Sequence, residues 1–458
     1  MTVSATTSAK LKFPHQIKYI VANEAAERYS YYGMRSILVV FMVQYLLFAE
    51  TKAVSIYHYF ISANYLCTFI GGYLADRYWG KYKTIIRLSI VYCLGHLVLA
   101  LWENEMGLYW GLGLIAFGAG GIKPCASAHA GDQIGKGKEA LIAKLFDLWY
   151  WMINLGAFAS TALTPITLPK FGPKVAFGIP GVLMAIATFI FWLGRKYFVH
   201  VPPSGKNPHS PSKIIFTALK NLKNKKKGEH FLDCALPFHP KEQIEGVKSV
   251  LDVSKPFLLI SIFWALFEQH GSSWVIQAQK MDLHVFGFEL LPSQVAALNP
   301  ILILSLVPVF NIFIYPAFTR MGFNVTPLNK MKFGMFITSL SFAAVTIAQY
   351  MLDHGQAVSI GWQALGHSFL AVGEILISIS GLEFAYTQAP RALKSMVMSL
   401  WFLTVVIGNM FTGIIAQLNV FGEGWQFFNF FAMMMFGLSF VFLWAVKDYK
   451  VRSYIEGT

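Results

Sequence analysis

Four ionisable side chains crowd one apolar run near the start of this 458-residue chain: Glu24, Glu27, Arg28 and Arg35. Glu24, Glu27 and Arg28 are spaced i, i+3 and i+4, which puts them on one face of a helix. Lys123 interrupts a second apolar run, after Gly118-Ala119-Gly120-Gly121 and before Pro124, and Glu374 interrupts a third. An ionisable group in a membrane costs about 2.5–3.5 kcal/mol on insertion scales, so each asks for a role. Three charges on one face cannot look at lipid and must line water or protein. A carboxylate beside an arginine stays ionised, whereas one that is buried and deprived of its partner takes up a proton. On the residues alone, the Glu24/Glu27/Arg28 cluster reads equally as a proton switch and as a structural salt bridge between helices. Lys123 lies near mid-helix, which favours function over a lysine snorkelling to the membrane edge.

The elements that hold these residues follow from composition. The chain is 55% apolar and only 13% charged, against roughly 25% charged in a soluble domain. Its mean hydropathy is +0.52. A spanning helix needs about 20 largely apolar residues, and twelve such stretches are present. They run Ile17–Phe48, Ala53–Trp79, Thr84–Trp102, Gly107–Ala130, Leu141–Ile166, Ala176–Tyr197, Lys255–Ala278, Pro292–Thr319, Asn329–Met351, Ile360–Tyr386, Ser395–Leu418 and Trp425–Val446. A polar segment, Val201 to Ser254, with Pro202, Pro203, Pro208, Pro211 and the basic run Lys220 to Lys227, divides them six and six. The layout predicts an N-terminal six-helix bundle over 1–198, a cytoplasmic linker over 199–254 and a C-terminal six-helix bundle over 255–458. Transporters built this way carry substrate near the midplane, where the halves meet.

The formal charge of +14 does not point to nucleic acid. With a cytoplasmic N-terminus, the outer loops hold Lys52, Lys170, Lys174 and Lys280, and Arg28, Arg35 and Lys123 lie inside helices. Of 37 Lys and Arg, four and three are thus accounted for, which leaves 30 on the cytoplasmic side. That bias is the positive-inside pattern and puts both termini in the cytoplasm. The polar lead Met1 to Phe13 has no cleavable-signal pattern. The basic run in the linker suits anionic lipid headgroups. Cys67, Cys93, Cys125 and Cys234 suggest neither a disulfide framework nor a metal site. No HExxH, no GxSxG and no phosphate loop is present, so an enzyme is not expected.

Further blocks give the chain a family likeness. Between the second and third stretches, Gly71-Gly72-Tyr73-Leu74-Ala75-Asp76-Arg77-Tyr78-Trp79-Gly80-Lys81 resembles the signature loop of the major facilitator superfamily. Glu24-Ala25-Ala26-Glu27-Arg28-Tyr29-Ser30-Tyr31-Tyr32 resembles the ExxERFxYY motif of the proton-dependent oligopeptide transporter family, with Tyr29 where the family usually has Phe. Phe263-Trp264-Ala265-Leu266-Phe267-Glu268-Gln269 resembles its helix-seven segment, and the block Gly373 to Pro390 its helix-ten signature. The likeness runs from Glu24 to about Asn409. It implies an all-α integral membrane protein of the major facilitator superfamily fold, with twelve transmembrane helices in two pseudo-symmetric bundles. It further implies a symporter that imports di- and tripeptides with protons by alternating access. The extra helix pair found between the halves of many bacterial members is not expected here.

The resemblance implies that Arg28 and Lys123 hold the peptide carboxylate and couple to Glu24 and Glu27. Glu374, an anion in the other half, suits the peptide ammonium, so a dipolar ligand would be clamped across the interface. Asn154 and Asn299 match family positions that contact the peptide backbone or amino end, though helix-to-helix hydrogen bonds explain them nearly as well. Tyr32, Tyr65, Trp264 and Trp401 match positions lining the family's pocket, and Tyr32 lies one turn from Arg28. Ser378, one turn after Glu374, is placed to line the same site. His58 falls near an outer helix end, where a surface histidine is the plain reading, but its place seven residues before Tyr65 matches members that use it in proton coupling. Arg35 and Glu268 match a pair that bridges helices one and seven as an outer gate, with Glu268 also proton-linked. Protons are the only coupling agent implied, and no cofactor. The expected setting is the bacterial-type inner membrane, as a multi-pass functional monomer among lipids. Rival readings are a symporter of the same superfamily for nitrate, a nucleoside or an amine, and, from another class, a polytopic enzyme or receptor.

Overall fold

The computed structural model describes residues 13–134, 140–203, 205, 208–226, 228–388, 393–447 and 449. Ala389 and Pro390, the end of the helix-ten block, lie outside them, as does nearly all of the polar lead. A bilayer offers the backbone no hydrogen bonds, so a spanning segment must satisfy its own, and the chain does so as helices. Among the described residues, twelve cross. The first half is α1 (Ile17–Val40), α2 (Glu50–Leu74), α3 (Lys81–Leu101) and α4 (Glu105–Asp132). A continuous helical run, Ala140–Leu193, then breaks at Gly172, whose φ of +76° only glycine adopts readily, into α5 (140–171) and α6 (173–193). The second half is α7 (Lys241–Ala278), α8 (Pro292–Arg320), α9 (Pro327–Asp353), α10 (Gly361–Ala385), α11 (Lys394–Leu418) and α12 (Trp425–Ala445). We call the side that carries the linker between α6 and α7 the linker face, and the opposite side the distal face.

Eight helical stretches cross on length and apolarity alone, and one of them holds both α5 and α6. The three spans outside that set are α1, α2 and α4. They carry Glu24, Glu27, Arg28, Arg35, His58, Asn64 and Lys123. Large apolar side chains such as Trp110, Phe189, Phe313 and Trp444 remain exposed, as lipid-facing residues must.

α1 packs along α5, α2 and α3 both pack on α4, and α9 packs on α10 and α12. The halves meet chiefly where α2 lies on α11 and where α5 meets α8. Hydrogen bonds joining the halves gather toward the distal face. Ser55 Oγ donates to the Gly413 carbonyl at 3.0 Å, Gln294 Nε2 to the Ala162 carbonyl at 2.7 Å, and Tyr59 bonds Gln417.

Two local departures from straight helices shape the site. α7 is α-helical over Lys241–Phe267, tightens into a 3₁₀ turn at Glu268–Gly271, and resumes at Ser273–Ala278. It starts at Lys241 rather than Lys255, because a helix can continue from lipid into water where apolar pattern no longer marks it. In α10, the α-helix Gly361–Glu374 passes into a π turn, Ile375–Ile379; such bulges recur at functional sites. In the linker, a short helix (Pro211–Lys220) and a 3₁₀ turn (Phe231–Ala235) pack Ile214, Ala218, Leu232 and Ala235 toward Ile244 and Val247 of α7.

Candidate substrate-binding and proton-coupling site

A cavity of about 210 Å³ lies between the halves. Tyr32, Tyr65 and Asn154 line it from the first half, and Trp264, Asn299 and Glu374 from the second. Arg35, Tyr57, Glu268, His270 and Gly271 also line it. Charged and amide groups set among aromatic and small apolar side chains suit a small ligand whose polar ends are held.

The face shared by Glu24, Glu27 and Arg28 is an ion-pair cluster. Arg28 Nε lies 2.9 Å from Glu24 Oε1, and one terminal nitrogen lies 2.6 Å from Glu27 Oε2. All three are buried. One cation against two carboxylates leaves a negative charge in excess. Lys123 stands apart from this cluster. Its ammonium donates to Asn64 Oδ1 at 2.6 Å and lies 4.1 Å and 4.7 Å from the ring centres of Tyr65 and Tyr31. In the other half, Asn299 Nδ2 donates to Glu374 Oε2 at 2.9 Å. Asn154 spends its Nδ2 on the Tyr150 carbonyl one turn back, at 2.9 Å, and still faces the cavity.

On the distal side, α1 and α7 are latched. Arg35 donates to Glu268 from a terminal nitrogen and to Tyr57 Oη from Nε. Both charged partners are buried, Glu268 to 2% exposure and Arg35 to 7%. The 3₁₀ turn that carries Glu268 fits only because Gly271 has no side chain: a Cβ there would lie 2.0 Å from Tyr57 Oη. His58 is fully buried at the interface of the halves, not on the surface as its position near a helix end suggested. Nδ1 lies 2.7 Å from Asn409 Oδ1 and Nε2 lies 2.9 Å from Ser272 Oγ. Asn409 is on α11 and Ser272 on α7, so one imidazole ties α2 to both.

Thus Tyr32, Arg35, Tyr65, Asn154, Trp264, Glu268, Asn299 and Glu374 share one cavity. Glu24, Glu27, Arg28 and Lys123 stand outside its wall; Lys123 reaches Tyr65 from behind. Trp401 does not reach the wall but packs edge-on against Trp264, 5.9 Å between rings, and against Phe257. Ser378 is not among the wall residues; it lies in the π turn that follows Glu374. Asn64, Tyr57, His270, Ser272 and Asn409 were not singled out in the sequence. An asparagine in an apolar run, at 64 or 409, was a legible signal. Tyr57 and Ser272 gave none, because only the fold brings them to Arg35 and His58.

Two bundles of six spanning helices around a central polar cavity define the major facilitator fold. Within that class the chain belongs to the POT family: the family described as PTR2, POT family, matches residues 82–424. Among solved structures, the POT family transporter PepTSo superposes with a TM-score of 0.89 at 38% identity, over 96% of this chain and 99% of that one. An auto-inhibited POT family peptide transporter superposes equally, TM-score 0.89 at 35% identity, over 97% and 99%. Solute carrier family 15 member 2 of Mus musculus is 36% identical over 394 residues, 81% of this chain and 54% of its own length. Peptide transporter family 1 of Drosophila melanogaster is 37% identical over 72% of this chain and 47% of its own length. The chain therefore spans about half the length of the curated relatives it matches.

Proposed function

We propose that this chain is a proton-coupled symporter that moves di- and tripeptides by alternating access between halves 1–198 and 255–458, with 199–254 as the linker. The observation that carries the reading is the placement of opposite charges across one cavity. Glu374 stands on the second-half wall, while Lys123, behind Tyr65, and Arg28, one turn from Tyr32, stand in the first half. A zwitterion with an ammonium at one end and a carboxylate at the other matches that polarity. Relatives named as peptide transporters agree with it.

In this reading the peptide ammonium goes to Glu374 and Asn299, and its carboxylate to Lys123 and Arg28. Asn154 takes backbone groups, and Tyr32, Tyr65 and Trp264 form the tolerant apolar wall, with Trp401 backing Trp264. The proton is held in the Glu24/Glu27/Arg28 cluster. The distal face is the outer one, following the positive-inside rule, with both termini cytoplasmic in a plasma membrane. The Arg35–Glu268 latch and the His58 tie close that face, and protonating Glu268 or His58 releases it. Linker lysines meet anionic lipid headgroups, a single chain suffices, and no cofactor takes part.

The test is uptake of labelled dipeptide in proteoliposomes under an imposed proton gradient. Wild type should concentrate the peptide, and Glu27→Gln should equilibrate it without concentrating it. A Glu27→Gln carrier that still accumulates peptide uphill would remove the coupling role, and a wild type indifferent to dipeptide would remove the reading.

A further inference from the structure

Lys123 is a half-buried cation inside a spanning helix, without an anion. Among the described residues, no carboxylate lies within ion-pair distance of its ammonium, because Glu24 and Glu27 are both taken by Arg28. Among the described residues its hydrogen-bond partner is neutral, the side-chain carbonyl of Asn64, and the rings of Tyr65 and Tyr31 flank the ammonium. Asn64 is itself fully buried. Its Nδ2 points at the Ala116 carbonyl, 3.5 Å away, on the helix that carries Lys123. That contact takes a donor and the ammonium takes an acceptor, so only one orientation of the amide serves both.

The backbone enforces the meeting. α2 and α4 cross so closely at Asn64 that a Cβ on Gly120 would lie 2.1 Å from the Asn64 carbonyl oxygen. No side chain can separate the helices there, and the Asn64 amide is delivered to the lysine three residues on. A carboxylate at this place would neutralise Lys123 permanently. An apolar residue would leave the ammonium to the aromatic faces alone. An amide does neither: it satisfies one donor of the ammonium and yields to a charged acceptor, because charge-assisted pairs between two ions are stronger than those to a neutral group.

We infer that Asn64 is a positioning residue that holds the Lys123 ammonium in register until a substrate carboxylate displaces it. This rests on the peptide reading of the same site, and it adds a specificity determinant that acts only through the substrate's carboxyl end. Lys123 is kept in register and uncommitted, so discrimination for a free carboxylate depends on the neutrality of its resting partner.

The experiment measures KM and maximal rate for a dipeptide and for its C-terminal amide in proteoliposomes, in wild type, Asn64→Asp and Asn64→Ala. Asn64→Asp should raise KM for the free-carboxylate peptide at least tenfold, with KM for the amide and both maximal rates within threefold of wild type. Asn64→Ala, which adds no bulk beside Gly120, should raise KM for the free-carboxylate peptide three- to tenfold and leave the amide within twofold. A purely structural role would move both substrates together, and equal changes for the two, or none, would overturn the proposal. Wild type serves as the separate check on the function: if it takes up neither substrate, the peptide reading fails, whereas wild-type uptake with unselective variants sinks the Asn64 role alone.

Discussion

Replacing Glu268 with glutamine tests whether the Arg35 latch sets the conformational balance. Arg35 is 7% exposed and Glu268 2%, so water cannot substitute for the lost charge in the closed state. Removing one partner of a buried ion pair costs about 3–5 kcal/mol when the other charge is stranded. Here the stranding is partial, because glutamine keeps an acceptor oxygen and Tyr57 still accepts from Arg35 Nε. A net loss of about 2 kcal/mol follows, roughly thirtyfold in the balance. In the distal-open state Arg35 is hydrated and loses nothing. A closed state favoured about a hundredfold would fall to about threefold, with roughly a quarter of molecules open. Spin labels at Glu103→Cys and Phe288→Cys, exposed sites on distal loops of the two halves, read this as a distance distribution once Cys67, Cys93, Cys125 and Cys234 are replaced. Glu268→Gln should add a longer-distance population that is minor in the parent. Superimposable distributions would refute the assignment of the latch as the element that holds this face shut.

Gly271→Ala should open the same face without touching a charge, since its Cβ would stand 2.0 Å from Tyr57 Oη; overpacking of this kind costs about 1–3 kcal/mol, and the same label pair would report it. Glu374→Ala should weaken uptake of peptides with a free amine tenfold or more and that of N-acetylated peptides far less; equal losses would refute the ammonium role. In the linker, His239 Nδ1 lies 3.0 Å from His209 Nδ1, and its Nε2 lies 3.0 Å from Thr217 Oγ1. Burial first, then His209 and Lys213, pushes the His239 pKa below its ordinary value. The closed linker is therefore fully supported above about pH 6.5 and loses support as pH falls through the lowered value. Proteolysis of the linker should rise from pH 7.5 to pH 5.5, and His239→Gln should flatten that rise.

The legible parts of the sequence were those where physics acts on single residues or short spacings. Charges in apolar runs flagged Glu24, Glu27, Arg28, Lys123 and Glu374; Glu374 lines the cavity, Lys123 reaches Tyr65 from behind its wall, and Glu24, Glu27 and Arg28 form a separate buried cluster. The twelve spans followed because lipid demands greasy surface from each. What escaped depends on contacts between distant segments. His58 looked like a surface residue because nothing local reveals that α7 and α11 close over it. Ser378, four residues after Glu374, does not join it on the cavity wall. Asn64 passed unremarked because its meaning is the lysine on another helix, which the Gly120 crossing brings within 2.6 Å.

Histidines aside, four carboxylates face three Lys and Arg side chains in the ionisable core: Glu24, Glu27, Glu268 and Glu374 against Arg28, Arg35 and Lys123. Arg35 and Glu268 cancel. Lys123 and Glu374 stand on opposite halves, and each is held by an asparagine in the complementary orientation, the Asn64 carbonyl to the ammonium and the Asn299 amide nitrogen to the carboxylate. A zwitterionic peptide can replace both amides and cancel both charges. What remains is the single excess carboxylate beside Arg28. A membrane-buried charge without a counterion is expensive, so the loaded core reaches neutrality only when that excess is covered by one proton. On this account Glu24→Gln makes the loaded core neutral with no proton at all. The variant should exchange peptide across the membrane at near wild-type affinity yet ignore an imposed proton gradient. Accumulation against the peptide gradient by Glu24→Gln would show that the proton is carried elsewhere, and the charge account would fall with it.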